Sequence, residues 1–302
     1  MGTTEDIMIS VRNYNKKFKK FNISNINFTV FKGTIHALVG QSGSGKSVLL
    51  KSIIGAIPSN RYSGTIKVND YKAGSAKSKL SLGYSLNLEN FPQGLTAYNF
   101  LKYLGQTTTI TDSALEVNLQ KLLNNFNLWE HRNKGLNSFS SGMKNRIMLI
   151  QALAHDPELV ILDEPGANLD SESRKYFTNV LKRLKAEGKT IFLTTHMINE
   201  VKDIIDDCTI IDLGKMLYSG PIAKFDVGKI FILTTNNLPL TATILTKYQY
   251  QFKYLKDLNE ILIRLDTQEK IDNLSSILNK YKIGIQNLYE KEIDLSHLKN
   301  FL

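Results

Sequence analysis

The chain is poor in the features that would place it outside a cell or inside a bilayer. Its 302 residues include one cysteine, Cys208, so no disulfide can form within the chain and a reducing cytosol is the expected setting. No apolar run approaches the roughly 18–20 residues that span a membrane. The opening MGTTEDIMIS lacks the basic region and apolar core of a secretory signal. A soluble protein is expected. No internal repeat or low-complexity tract is present, and 42% hydrophobic with 22% charged residues is the composition of an ordinary folded chain. Carboxylates are the scarcer charge, 28 against 38 cations, which leaves a formal +10. Arg12, Lys16, Lys17, Lys19 and Lys20 concentrate some of it. Such a surface suits nucleic acid, anionic lipid or an acidic partner, and equally a solvated face, so charge alone selects nothing.

What is present is more specific. GQSGSGKS at 40–47 fits G-x-x-x-x-G-K-[ST], the phosphate-binding loop pattern. The β-branched and apolar TIHALV ahead of it reads as a buried strand, and VLLKSIIGAI after it has helical spacing. Gly40, Gly43 and Gly45 let the backbone curl so that successive N–H groups converge on an anion. Gln41, Ser42, Ser44 and Val48 complete the cradle around the helix start. Lys46 is placed to reach β- and γ-phosphates, and the Ser47 hydroxyl to ligate Mg²⁺. A second stretch, ELVILDEP at 158–165, is an apolar strand ending in two carboxylates. At the carboxyl edge of a sheet, Asp163 would serve Mg²⁺ and Glu164 would act as general base on an attacking water.

In chain order, residues 7–33 alternate as an antiparallel pair of strands. YNKKFKKF lies between them, and Phe18 or Tyr14 is placed either to stack on a base or to pack within the hairpin. After the first helix come a strand at GTIKVND, a polar loop at YKAGSAKSK and a strand at LSLGYSL that ends near Asn87. Residues 90–135 read as a helical insertion with Trp129 in its core. Ser138, Ser140 and Ser141 offer a cap to the helix that follows. A helix near 172–187, a strand TIFLTT ending at His196, a helix over 197–205 and a strand CTIIDLG complete an alternation expected to give a mostly parallel sheet with helices on both faces. From 223 the order becomes β-α-β-β-α-β, a small ferredoxin-like module. The tail EIDLSHLKNFL is expected to be a helix.

SSGMK before a helix, then ELVILDEP, ANLD and TTH, stand in the order found in ABC-type ATPases. Over about residues 5–222 the chain resembles that family, most closely the bacterial exporters of drugs and antimicrobial peptides. The resemblance implies an α/β P-loop NTPase at 1–222, with N-terminal antiparallel β strands and an ABC-type helical subdomain at about 88–150. An α+β, ferredoxin-like accessory domain follows at 223–302. It implies ATP and Mg²⁺ as cofactors, and Lys46, Glu164 and His196 as the catalytic set, His196 meeting the γ-phosphate. Ser140 and Gly142 would touch the γ-phosphate of ATP held by an opposite subunit, and Phe18, from its place ahead of the phosphate loop rather than from the resemblance, is expected at the nucleotide. Asn168 to Asp170 would be the loop linking two such sites. Asn87 stands where Gln or Glu is usual; it is one methylene shorter, which puts its reach to Mg²⁺ or water in doubt. Ser141 replaces the first glycine of the usual pair. The implied partners are a second ATPase subunit, identical or different, and a separate transmembrane permease, with the chain peripheral on the cytoplasmic face of the membrane. The alternative is a non-transport ABC ATPase acting on nucleic acid or ribosomes. One cassette and no sustained heptads between phosphate loop and SSGMK argue against it.

Overall fold

The computed structural model describes residues 6–85, 91–167, 169–225 and 229–290. Asn87, Asn168 and the helix expected in the tail lie outside them. The chain divides into two compact units, Met1–Ala223 and Lys224–Leu302.

The first unit opens with β1 (Ile7–Lys17) and β2 (Asn22–Phe31), followed by β3 (Ile35–Val39) and α1 (Lys46–Ile53). Next come β4 (Ser63–Val68), β5 (Tyr71–Lys72), α2 (Ala76–Leu80) and β6 (Leu82–Ser85). The helical insertion holds α3 (Ala97–Gly105) and α4 (Asp112–Asn125) and leads to α5 (Ser141–Leu153). The alternation then runs through β7 (Leu159–Leu162), α6 (Ser171–Ala186), β8 (Thr190–Thr195), β9 (Asp207–Asp212) and β10 (Lys215–Pro221). One ten-stranded sheet results, in the order β5-β4-β1-β2-β10-β9-β3-β8-β7-β6. The five strands from β9 to β6 are parallel neighbours, and β3 and β7 are buried along their whole length. β5, β4, β1 and β2 pair antiparallel, β1 with β2 as the alternation over 7–33 predicts. Gly83 sets the spacing of β6 against α5, because an added Cβ would stand 1.8 Å from the Ala152 carbonyl.

Three expectations are corrected. The supposed polar loop at YKAGSAKSK contains β5 and α2; the Ser75 hydroxyl accepts from the Ser78 N–H and so caps a helix too short to show a period. Residues 197–205 form a short 3-10 turn at Ile198–Glu200 followed by further hydrogen-bonded turns rather than a continuous helix. Trp129 is half-buried at the edge of the insertion, its ring under the Arg132 guanidinium at 4.0 Å, and is not core. The serine cap is as expected, from Ser140, whose Oγ accepts from the Met143 N–H at 3.2 Å.

The second unit has β11 (Ile230–Thr235), α7 (Leu238–Lys247), β12 (Phe252–Leu255), β13 (Glu260–Arg264), α8 (Gln268–Lys280) and β14 (Ile285–Glu290). Its sheet, β12-β13-β11-β14, is antiparallel throughout, and Phe231, Leu233, Ile261 and Ile263 pack with Ile244, Leu245, Leu274 and Leu278 of the helices. This is the β-α-β-β-α-β module. Among the described residues no helix is long and apolar enough to cross a membrane.

His36 of β3 carries a pH-dependent cost. It is 1% exposed, lies 5.6 and 5.8 Å from the rings of Phe28 and Phe192, and bonds Thr209 Oγ1 through Nε2 at 2.9 Å. Burial pushes its pKa down to about 3. The folded chain therefore keeps it neutral while the unfolded chain takes up a proton near pH 6.5, so stability falls as pH drops from 6.5 toward about 3. We expect the stability lost between pH 7 and pH 5 to be smaller by about 2 kcal/mol in His36→Gln than in the unaltered chain. Urea midpoints at the two pH values measure it; an equal loss in both proteins would refute the account.

Candidate active site

The glycine-rich loop joins β3 to α1. Gly43 and Gly45 take φ of +81° and +107°, which side chains with a Cβ rarely adopt. α1 has no side-chain cap and no acidic residue in its first turn, so its leading N–H groups remain open to an anion. An open cleft of about 970 Å³ lies over this helix start. Gln41, Ser42, Gly43, Gly45, Lys46, Ser47 and Val48 line one part of it, Phe18, Lys19, Lys20 and Phe21 a second, and Glu164, Ala167 and His196 a third. Gly40 and Ser44 support the loop from behind: the Gly40 carbonyl accepts from Lys46, and the Ser44 carbonyl accepts from the Gly214 N–H.

Lys46 is 6% exposed, and its ammonium is well supplied with acceptors. It donates to the carbonyls of Gly40 at 2.7 Å and Gln41 at 3.2 Å and pairs with Glu164 Oε1 at 3.1 Å. The other Glu164 oxygen meets His196 Nδ1 at 2.7 Å. Burial pushes the Glu164 carboxyl up, but the hydrogen bonds and charges of His196 and Lys46 together outweigh it and leave the group below the usual carboxylate range. Glu164 holds φ +48°, a left-handed conformation uncommon for a side chain of this kind. It is fixed there by Thr194 of β8, whose Oγ1 accepts from the Glu164 N–H at 2.9 Å and donates to Asp163 Oδ1 at 2.6 Å. One buried hydroxyl thus orients both carboxylates.

The cleft brings together Phe18, Lys46, Ser47, Glu164 and His196. Asp163 joins them through Thr194. Tyr14 does not: it is fully buried and its hydroxyl bonds Ser52 Oγ at 2.8 Å, whereas Phe18 is 42% exposed and reaches the cleft. Ser140, exposed at the start of α5, and Gly142, buried behind it, are not among the residues lining the cleft. Asn87 lies outside the described residues. Sequence reasoning missed Lys19, Lys20, Phe21, Ala167 and Thr194. The first three adjoin Phe18 and were legible as its neighbours, while Thr194 carries no local signal.

The sequence profile of the ABC transporter family matches residues 23–167. A putative ABC transporter ATP-binding protein of Mycoplasma pneumoniae is 30% identical over 274 residues, which cover 88% of this chain and 82% of that protein. The linearmycin resistance ATP-binding protein of Bacillus subtilis is 33% identical over 70% of this chain and 69% of its own length. A Nod factor export ATP-binding protein of Neorhizobium galegae is 32% identical over 66% of this chain and 57% of its own. Among solved structures, an ATP-binding subunit of an ABC transporter superposes with a TM-score of 0.64 at 23% identity, covering 89% of this chain and 99% of that one.

The Thr194 geometry generates a test. Thr194→Val keeps the shape and removes both hydrogen bonds, and a bond to a charged group is worth about 1.5–3 kcal/mol. We expect ATP turnover to fall roughly ten- to a hundredfold and Thr194→Ser to retain most of it. Steady-state phosphate release measures both; full activity in the valine variant would remove Thr194 from the site.

Proposed function

The chain belongs to the ATP-binding proteins of ABC transporters and is an ATP hydrolase, and from that premise we propose that it powers export of an amphipathic molecule, a peptide or drug-like compound, through a separate membrane permease. Two relatives are named for linearmycin resistance and Nod factor export, which supports the export direction. The observation that carries the mechanism is the division of the motif residues. Lys46, Glu164 and His196 converge on one cleft, while Ser140, exposed at the N-terminus of α5, is not among the residues that line it. We assign Ser140 and Gly142 to the γ-phosphate of ATP held by a second ATPase subunit, so that each site is completed by a partner.

Within a site, phosphoryl transfer depends chiefly on positioning and charge neutralisation. Lys46 would exchange the Glu164 carboxylate for the β- and γ-phosphates. Losing that cation raises the basicity of Glu164, which then orients and deprotonates water, with His196 bridging Glu164 and the γ-phosphate. Phe18 offers its exposed ring to the base. Ser47, exposed in the first turn of α1, and Asp163, with Oδ1 held by Thr194, are a sparse oxygen set of the kind Mg²⁺ uses when phosphates and water supply its other ligands. When bound there, Mg²⁺ would neutralise charge on the phosphates.

We assign the ATPase to residues 1–222 and an accessory role to 223–302. The insertion at 88–150 would face the permease. Tyr103 and Val117 expose 66% and 67% of their surface beside the Lys102–Glu116 ion pair that joins α3 to α4, and so offer apolar contact to such a partner. The chain would then sit on the cytoplasmic face of the membrane.

Removing a general base costs about a hundred- to ten-thousandfold in rate. Glu164→Gln is therefore expected to bind ATP, to accumulate as an ATP-dependent dimer by light scattering, and to lose turnover by that factor. Brisk hydrolysis by the variant would remove Glu164 from its role. Transport is tested by co-purification with a multi-span protein that changes the ATPase rate; tight, salt-sensitive nucleic-acid binding in its place would overturn the export reading.

A further inference from the structure

The backbone that leaves Glu164 and the turn that follows His196 are tied together by residues that do not line the cleft. Arg174, in the first turn of α6, donates through Nη2 to the Leu169 carbonyl at 3.1 Å. Its Nη1 pairs with Glu200 Oε1, also at 3.1 Å. Glu200 belongs to the turn Ile198–Glu200, just past His196. Its second oxygen lies beside Gly166, where an added Cβ would stand 3.3 Å away. A further bond, from Asn145 Nδ2 of α5 to the Pro165 carbonyl at 3.2 Å, holds the same loop from the other side. The Glu200 side chain is only 14% exposed, so its charge is costly unless paired. A guanidinium fork can serve a carboxylate and a carbonyl at once, which the single ammonium of lysine does less well.

We infer that Arg174 and Glu200 form a clamp that holds the Glu164 loop and the His196 turn in fixed relation, and so sets the Glu164–His196 contact from its far side. Neither residue lines the cleft; both are positioning residues. The inference rests on the ATPase reading for its effect on rate but on geometry alone for the coupling. Glu164 and His196 meet at 2.7 Å although they sit at the ends of different strands, and Glu164 holds a strained left-handed backbone. Three side-chain hydrogen bonds and ion pairs on the far side oppose relaxation of that arrangement.

The test compares Arg174→Gln, Glu200→Gln, their combination and Arg174→Lys in the full chain. Each single glutamine variant is expected to lower kcat roughly ten- to a hundredfold, as a misplacement of about 1 Å does, with KM for ATP little changed. The double variant is expected to be no worse than Arg174→Gln alone, since that change already removes the link to Glu200. Arg174→Lys keeps a cation and is expected to recover part of the rate. Amide exchange is read independently of turnover: Arg174→Gln should quicken exchange at 196–201, and Glu200→Gln should quicken it at 164–167. Unchanged kcat, multiplying losses in the double variant, or exchange that rises only around the altered residue would each overturn the clamp. Should a glutamine variant fail to fold, exchange in Arg174→Lys reads the same coupling. Loss of ATP hydrolysis by the unaltered chain would count against the functional reading and leave the exchange result to decide this one.

Discussion

The ion pair between Lys46 and Glu164 joins two parts of the chain that are far apart in sequence, and the central sheet exists in a form that permits it. Lys46 leaves the carboxyl end of β3, and Glu164 leaves the carboxyl end of β7, with β8 between them. A parallel sheet aligns all three ends at one edge, so a side chain on each outer strand's loop can meet over the middle one. The middle strand supplies Thr194 and, just beyond its end, His196. An ammonium that is 6% exposed needs compensation from several acceptors, and the two loop carbonyls with Glu164 provide it.

That pairing also sets the chemistry. A carboxylate held by a cation and an imidazole is a poor base, because the charges that stabilise it also lower its affinity for a proton. On the proposed reading, phosphate oxygens would compete for the cation, so that arrival of ATP and activation of Glu164 would be one event. A site that works in the proposed way would withhold its base until the phosphates are present. The energetic logic needs no movement of the backbone, only a change of partner at one ammonium.

How much of this was legible in the sequence depends on how local each signal was. Gly40 to Ser47, the Asp163–Glu164 pair and the strand-terminal His196 each announce themselves within a few residues, because the chemistry needs contiguous side chains at a strand end. The β-α-β-β-α-β order of the second unit was legible for the same reason, each element carrying its own period. Tyr14 and Phe18 were not separable, because β1 changes register against β2 on both sides of Tyr14, and a bulge rotates side chains out of the simple alternation. α2 is held by one serine cap over five residues, below the length at which a helical period can be read. Residues 197–205 have helical spacing, yet they form a series of short turns and no continuous helix.

Thr194 was out of reach for a different reason. Its partners are 30 and 31 residues away, and a threonine in a β-branched strand is ordinary by composition. Its role appears only when β7 and β8 are in register, with Leu162 opposite Leu193. That register places the Thr194 hydroxyl level with the first two residues beyond β7, which are Asp163 and Glu164. Shifting the pairing by one residue would turn the hydroxyl to the other face of the sheet and leave both carboxylates unheld. The apolar run that buries β7 therefore does more than stabilise the core: by fixing the register, it determines where the two charged groups stand relative to Lys46.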